Sequence, residues 1–169
     1  MAIESQVFTD DRGIFLETYK RSDFESRGIE GAFVQDNHSR SRKGVVRGLH
    51  YQVGEKVQGK LVGVLSGSVW DVAVDLRRSS PTFGQWKSVV LSATEKNLLW
   101  IPGGFAHGFL CLSEQADVSY KLTAEYSAEE ERGIRWDDSF LSITWPHSDV
   151  TVSQRDAALP LWDAADLLP

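Results

Sequence analysis

Apolar and polar residues alternate with a period of two along most of the chain, which predicts β-strands. The clearest example runs from Lys60 to Arg77, with a turn signal at Ser66-Gly67. Before the turn, Lys60 shares its face with Val62 and Val64. After the turn, alternation places Trp70, Val72 and Val74 on one face and Asp71, Ala73 and Asp75 on the other. We expect a β-hairpin with one buried face and with the aspartate face in water.

Other segments of the same kind are separated by turn-forming clusters, whereas helical periodicity is weak. The further predicted strands are Gly44–Gln52, Ser88–Ala93, Leu98–Pro102, Gly108–Leu112 and Asp117–Thr123. The turn clusters are 78–81, Gly103-Gly104 and Ser113-Glu114. Short helices are expected only near 21–26 and in the tail near 156–168. Many short strands at regular spacing predict an all-β sandwich or barrel.

Length and composition restrict the protein class. A chain of 169 residues suits one domain, spanning 1–169. Cys111 is the only cysteine, so no internal disulfide is possible, and without a recognisable leader we expect a reducing cytoplasm. No apolar run approaches the ~20 residues of a membrane helix. The net charge of -6 argues against nucleic acid as a partner, although a few arginines in one cleft can hold an anionic small molecule.

Four polar side chains fall on strand faces that are otherwise apolar. They are His50, Lys60 and Tyr120, each on a different predicted strand, and His107, in the glycine-rich turn that runs into a fourth strand. A buried polar group is costly unless it is hydrogen-bonded, so four of them in a small β-domain indicate a polar cavity inside the sandwich. The alternative is a set of unrelated structural polar residues.

Metal and nucleophilic chemistry have little support in the sequence. Jelly-roll metal sites often pair histidines one residue apart, but Gln52 follows His50 at that spacing and Phe109 follows His107. We therefore expect no metal. The serines that flank Gly67 fit a hairpin turn better than a nucleophile elbow, and Cys111 is expected to pack as a small apolar residue.

The chain resembles the dTDP-4-dehydrorhamnose 3,5-epimerase family over nearly its whole length. The segments that carry the resemblance are DDRGIFLE (10–17), FVQDNHSRSRKGVVRGLHYQ (33–52), QGKLV (58–62), GSVWDVAVDLRRSSPTFGQW (67–86), WIPGGFAHGFLCLSE (100–114), VSYKLTAEY (118–126), ERGIRWDD (131–138) and SQRDAALP (153–160). The resemblance implies a cupin-type jelly-roll β-sandwich with a few short helices, acting as a cytoplasmic homodimer with no metal or other cofactor.

The resemblance also implies a reaction, epimerisation of dTDP-4-dehydro-6-deoxy-D-glucose at C3 and C5 in rhamnose synthesis. Its C4 ketone acidifies the protons on both neighbouring carbons. By resemblance, His50 is the base, Asp156 the carboxylate that orients it and Tyr120 the proton donor on the opposite face. Lys60 is the cation beside the developing oxyanion at O4.

Substrate-binding positions carry over in the same way. By resemblance they are Arg12 and Glu17, reaching across from the partner subunit; Gln35 and Asn37, at the thymidine end; Arg47 and Arg155, at the diphosphate or sugar; His107; Tyr126, stacking on thymine; and Glu131. Without the resemblance, Arg12, Glu17 and Glu131 are ordinary exposed charges. Gln35 and Asn37 are then turn caps, and Arg155 forms a surface ion pair with Asp156.

The spacing of Arg47 and His50 poses a geometric problem. Three residues apart, they point to opposite faces of a regular strand. Both reach one cavity only if the strand contains a bulge, for which Gly48 is the expected place, or if Arg47 lies at a strand end.

Three other functions remain open from the sequence. A relative that inverts only one carbon, or that uses another nucleotide carrier, needs the same base and acid. A non-catalytic carbohydrate-binding jelly roll needs the cleft but neither the His50–Asp156 pair nor Tyr120. A metal-dependent cupin oxygenase is distinguished by metal analysis.

Overall fold

A computed structural model of the chain describes residues 1–29 and 31–169, which contain twelve β-strands and two short α-helices. The strands are β1 (Ala2–Ile3), β2 (Val7–Asp10), β3 (Gly13–Leu16), β4 (Gln35–Arg42), β5 (Val46–Gln52), β6 (Lys60–Ser66), β7 (Ser68–Asp75), β8 (Trp86–Ser92), β9 (Leu98–Ile101), β10 (Phe105–Cys111), β11 (Gln115–Leu122) and β12 (Glu131–Gly133). The helices are α1 (Arg21–Glu25) and α2 (Gln154–Ala157), and single 3₁₀ turns form at Gly54–Lys56 and Trp162–Ala164.

Ten of the strands form two five-stranded antiparallel sheets that face each other, which confirms the predicted β-sandwich. The first sheet has the strand order β1-β9-β6-β11-β4, and the second has the order β12-β5-β10-β7-β8. The remaining strands, β2 and β3, form a separate hairpin. The core between the sheets includes Val62, Val64, Leu91, Phe109 and Val118.

Both sheets are also covered on their outer faces. The C-terminal segment packs on the second sheet, where Ile134, Leu141 and Trp162 contact the side chains of Leu49, Val72 and Val74. Near the N-terminus, Ile3, Phe24 and Ile29 cover Leu61 on the first sheet. β7, and β6 as far as Val64, are therefore buried on both sides.

This double burial corrects the prediction that one face of the 60–77 hairpin lies in water. Asp71 and Asp75 point into the sandwich and are 0% and 1% exposed. Asp75 accepts hydrogen bonds from Arg77, Ser80 and Thr82. Burial favours a raised pKa for Asp75, but these bonds outweigh it and hold the pKa well below its usual range. A carboxylate thus occupies an interior position because its own turn supplies the donors.

β5 contains the expected irregularity at Gly48. The register of β5 with β10 shifts, so that His50 lies opposite His107 while Arg47 lies opposite Phe109. His107 and Phe109 are two residues apart on β10 and share the inner face, so Arg47 and His50 both face the interior. The predicted bulge is confirmed. Val46, which regular alternation would place on the face of His50, pairs with Leu110 and lies on the outer face.

The structure has the two predicted helices, but the one in the tail is much shorter than the sequence predicts. α1 confirms the expected helix near 21–26. The tail helix is wrong as a continuous element, because α2 begins before Asp156 and ends at Ala157. Pro160 disfavours helical geometry at Leu159, and only a 3₁₀ turn follows. In the part of the chain that the structure describes, no helix has the length and apolar character needed to cross a membrane.

Gly48→Ala should lower the free energy of unfolding far more than Gly13→Ala. Both glycines have φ near +120° (122° and 126°), so each substitution carries a similar backbone cost, on the order of 1–3 kcal/mol. A Cβ at Gly48 would lie 2.6 Å from Gly108 Cα, whereas one at Gly13 would meet no atom of the described residues within 4 Å. We expect an additional loss of about 2 kcal/mol for Gly48→Ala, measured by urea denaturation. Equal losses for both variants would contradict the close packing of β5 on β10.

Candidate functional site

The two sheets together carry all four polar side chains that the sequence placed on inward faces. His50 and His107 are opposite one another on β5 and β10 of the second sheet. Lys60 begins β6 and Tyr120 lies on β11, both in the first sheet and on the face of Val62 and Val118. Lys60 Nζ donates to the carbonyl oxygen of His50 at 3.3 Å, which links the sheets directly.

His50 is paired with a buried carboxylate. Its Nε2 lies 2.9 Å from Asp156 Oδ1, and the backbone N–H of Gly48 donates to Asp156 Oδ2 at 3.1 Å. Ser153 caps α2 by accepting from the backbone N–H of Asp156 at 3.0 Å. The His50 side chain is 29% exposed and that of Asp156 is 7% exposed. The imidazole thus meets solvent on one side and a fixed carboxylate on the other.

Asp156 remains ionised in this setting. Burial favours a raised pKa, but the hydrogen bond and charge of His50, together with the Gly48 amide, hold the pKa below its usual value. Because a carboxylate only accepts hydrogen bonds, the ring nitrogen facing Asp156 carries the hydrogen. The other ring nitrogen of His50 is therefore the one available as a base.

A second histidine–aspartate pair lies beside the first. His107 Nε2 lies 3.0 and 2.9 Å from the two carboxylate oxygens of Asp71, and both side chains are almost fully buried. No function was predicted for Asp71 from the sequence. The signal that could have found it is its parity with Val69, which faces the core between the sheets. An inward aspartate on β7 supplies the negative charge that the interior lysine and histidine require.

Lys60 is a buried cation with a displaced pKa. It is 7% exposed, and burial lowers its pKa to about 8, against the opposing attraction of Asp71 and Glu131. Its ammonium is thus retained at neutral pH beside the carbonyl group of His50. A desolvated cation in this position interacts strongly with any negative charge that develops near it.

Three of the predicted binding residues meet at the start of β12. Tyr126 donates its hydroxyl to Glu131 Oε2 at 2.6 Å, and Arg155 forms an ion pair with the same oxygen. Burial favours a raised pKa for Glu131, but these two partners hold the pKa below its usual value. Arg155 therefore pairs with Glu131, which contradicts a simple surface pair with Asp156. The Tyr126 ring remains half exposed.

β4 presents polar residues to the same interior. Gln35 and Asn37 alternate inward on this strand, which contradicts the turn-cap alternative, and Gln35 Nε2 donates to Asn37 Oδ1 at 2.9 Å. Asn37 lies directly opposite Tyr120. Arg47 reaches across to β4 and donates to Ser41 Oγ at 3.0 Å. Ser39, for which no function was predicted, lies on β4 between Asn37 and Ser41, and its buried hydroxyl has no hydrogen-bond partner among residues 1–29 and 31–169.

Arg12 and Glu17 are not brought to this group within one chain. Arg12 lies in the turn between β2 and β3, has a side chain 90% exposed and pairs with Asp10. Glu17 follows β3 and is also exposed. Their predicted contact with substrate requires a second subunit.

The site contains the acid and base groups needed to transfer protons to and from opposite faces of a bound ligand. An imidazole with a buried carboxylate lies on one sheet, a phenol lies on the other, and a buried ammonium lies near both strands' ends. Within residues 1–29 and 31–169, no group of three or more histidine, cysteine, aspartate or glutamate side chains has a geometry that could hold a metal ion. Metal independence stays a prediction.

Comparison with known proteins gives a consistent result. Residues 1–164 match the family model of dTDP-4-dehydrorhamnose 3,5-epimerase. The chain is 53% identical over 167 residues to the dTDP-4-dehydrorhamnose 3,5-epimerase of Salmonella typhimurium, covering 98% of this chain and 91% of that protein.

Two solved structures show how closely the fold of this chain matches the folds of known epimerases. One is a dTDP-6-deoxy-D-glucose-3,5-epimerase from Legionella pneumophila in complex with dTDP-4-keto-L-rhamnose (TM-score 0.93, 51% identity, 96% of this chain and 87% of that chain). Another is a 3′-monoepimerase from Streptomyces bikiniensis in complex with dTDP-quinovose (TM-score 0.89, 30% identity, 95% of this chain and 82% of that chain). The predicted cupin-type jelly roll is confirmed.

Lys60→Met should change how stability depends on pH. The folded protein releases the Lys60 proton near pH 8, whereas the unfolded chain retains it to about pH 10.4. Between these values the unfolded state binds more protons, so the free energy of unfolding rises with pH in the wild type by on the order of 3 kcal/mol relative to the variant. Urea denaturation from pH 7 to pH 10 measures the difference. Parallel curves for wild type and Lys60→Met would contradict it; Lys43→Met, at an exposed lysine, is the control.

Proposed function

The chain belongs to the dTDP-4-dehydrorhamnose 3,5-epimerase family, and on that premise we propose that it inverts C3 and C5 of dTDP-4-dehydro-6-deoxy-D-glucose to give dTDP-4-dehydro-L-rhamnose. The observation that carries the proposal is the distribution of acid and base: the His50–Asp156 pair belongs to one side of the sandwich and Tyr120 to the other. The product is the precursor for dTDP-rhamnose synthesis.

The first step is removal of a proton next to the C4 ketone. His50 takes this proton, because its solvent-facing ring nitrogen has a free lone pair and its other nitrogen is held by Asp156. The ionised Asp156 stabilises the imidazolium that forms. General base catalysis of this kind contributes about 10²- to 10⁴-fold.

The enolate formed in this step carries its negative charge on O4. Lys60 is the group placed to stabilise it, since its ammonium is buried and still charged at neutral pH. One such contact to an oxyanion is worth about 2.7–4 kcal/mol in other enzymes. His107, which is hydrogen-bonded to Asp71, is a further residue that contacts the substrate in the buried part of the site.

Inversion requires the new proton to arrive on the opposite face of the sugar. Tyr120 fits this role because it lies on β11 of the first sheet, across from His50 on the second. Removal by one sheet and return by the other reverses the configuration at the carbon without a redox step or a cofactor.

Polar and aromatic residues around the opening of the site bind the nucleotide end of the substrate. Tyr126 stacks on thymine through its half-exposed ring, with Glu131 and Arg155 fixing its hydroxyl end. Gln35 and Asn37 contact the thymidine. The guanidinium groups of Arg47 and Arg155 contact the diphosphate or sugar.

The active form is proposed to be a homodimer of single-domain chains, 1–169, in the cytoplasm. The β2–β3 hairpin exposes four large apolar side chains, Val7, Phe8, Ile14 and Phe15. A second copy of the chain that covers this hairpin would bring Arg12 and Glu17 to the neighbouring site, which neither residue reaches in its own chain.

An epimerase acting on a single carbon is the second candidate. The Streptomyces bikiniensis monoepimerase has the same fold, but it shares only 30% of its sequence with this chain, compared with 51% for the Legionella 3,5-epimerase. The higher identity favours inversion of both carbons.

Proton NMR in D₂O with the dTDP-keto-sugar tests the function directly. The wild type should incorporate deuterium at both C3 and C5, whereas His50→Asn should incorporate it at neither while keeping the same far-UV circular dichroism. Tyr120→Phe should lose net epimerisation more than exchange, because His50 still removes the proton.

Exchange at one carbon would establish the single-carbon alternative, and no exchange by the folded wild type would indicate a binding module. Unchanged uptake by His50→Asn would refute its role.

Mixed dimers test the contribution of the second subunit. His50→Asn and Arg12→Ala chains, each weak alone at subsaturating substrate, should regain about a quarter of the wild-type activity when co-refolded, because half of the dimers are hybrids and each hybrid has one complete site. If Arg12 acts within its own chain, or not at all, the mixture will show no gain over the average of the two separate variants.

A further inference from the structure

Three glutamine side chains hold the backbone of the loop that carries Tyr126. This loop, residues 123–130, connects β11 to β12, and we call it the Tyr126 loop. Gln58 Nε2 donates to the carbonyl of Ala124 at 2.9 Å, and Gln35 Oε1 accepts from the N–H of Tyr126 at 2.8 Å. Gln52 contacts the same loop at two points, Glu125 and Ser127.

Gln52 makes the most extensive of these contacts. Its Oε1 accepts from the backbone N–H of Ser127 at 2.7 Å, and its Nε2 donates to the carbonyls of Lys56 at 2.9 Å and Glu125 at 3.4 Å. Both ends of the amide are therefore used. Gln52 is 4% exposed, and an amide buried to this extent is stable only when its hydrogen bonds are made.

The glutamines come from both sheets. Gln35 is on β4 of the first sheet, Gln52 ends β5 of the second sheet, and Gln58 precedes β6. The Tyr126 loop is thereby bound to both sides of the sandwich at the edge where the polar interior opens. Because the contacts on the loop are to backbone atoms, they fix its path whatever its side chains are, and they leave the ring of Tyr126 half exposed.

We propose that Gln52, assisted by Gln58, is a positioning residue that sets affinity for the nucleotide by holding the ring of Tyr126 at the mouth of the site. The inference rests on the proposed function, which supplies the dTDP ligand. Gln52 acts through the loop backbone and does not itself touch the base. A purely structural role would instead lower stability without acting through Tyr126.

A double-mutant cycle with dTDP as the probe separates these roles, with the dissociation constant measured by calorimetry. Gln52→Met keeps the side-chain length but leaves the Ser127 N–H without its partner, so we expect dTDP to bind about tenfold more weakly, comparable to the loss of one stacked base in Tyr126→Ala. In the Tyr126→Ala background, Gln52→Met should cause little further loss, because the ring that it positions is already absent. KM for the dTDP-keto-sugar should rise in parallel, with a much smaller change in kcat.

Controls make each outcome decisive. Gln115→Met, at an exposed glutamine on β11, should leave the dissociation constant unchanged. If Gln52→Met does not fold, Gln58→Met, which removes one bond to the loop, enters the same cycle with the same expected sign. Additive losses in the cycle, or unchanged dTDP binding by folded Gln52→Met, would overturn the positioning role. A wild type that does not bind dTDP would instead refute the proposed function.

Discussion

The hydrogen bonds that Asp156 accepts from His50 and from the Gly48 amide join two distant parts of the chain, and the geometry of the site depends on them. Asp156 lies on the short helix α2, and Gly48 forms the bulge of β5. The bulge turns both Arg47 and His50 inward and exposes a backbone N–H that a regular strand would use in its ladder. One irregularity thus supplies a base, a guanidinium group and the anchor for the carboxylate.

Burial of charge imposes a second constraint. The interior contains the ammonium of Lys60 and two imidazoles, and it balances them with the carboxylates of Asp71 and Asp156 and with Glu131 at the edge. Each carboxylate faces a specific donor, because an unpaired one would cost several kcal/mol. Removing any one of these carboxylates would leave its donor in the interior without an acceptor. The pairs therefore have to be retained together for the polar interior to stay satisfied.

Periodicity predicted the fold correctly from apolar residues that are buried in the core, such as Val62 and Val72. It also identified His50 and Lys60 as polar exceptions on apolar strand faces. It failed for Asp71 and Asp75, because the sequence cannot show that the C-terminal segment covers the outer face of β7 and leaves the aspartate face inside. It also missed β4, where polar residues alternate on both faces of an edge strand. The site roles came from resemblance, since they depend on contacts between residues distant in sequence, such as Gly48 and Asp156.

The placement of Lys60 explains how one base can serve two carbons under the proposed function. C3 and C5 flank C4, and in the D-gluco configuration their hydrogens project from the same face of the ring, so a small in-plane rotation of the sugar about O4 brings either hydrogen to a fixed imidazole. Lys60 is rooted at the start of β6 and bonded to the carbonyl of His50, so the oxyanion contact and the base are held at a constant separation. An O4 atom retained by Lys60 can act as the pivot for that rotation. The nucleotide must meanwhile stay bound, which is why the fixed position of the Tyr126 loop is as important to the second inversion as to the first.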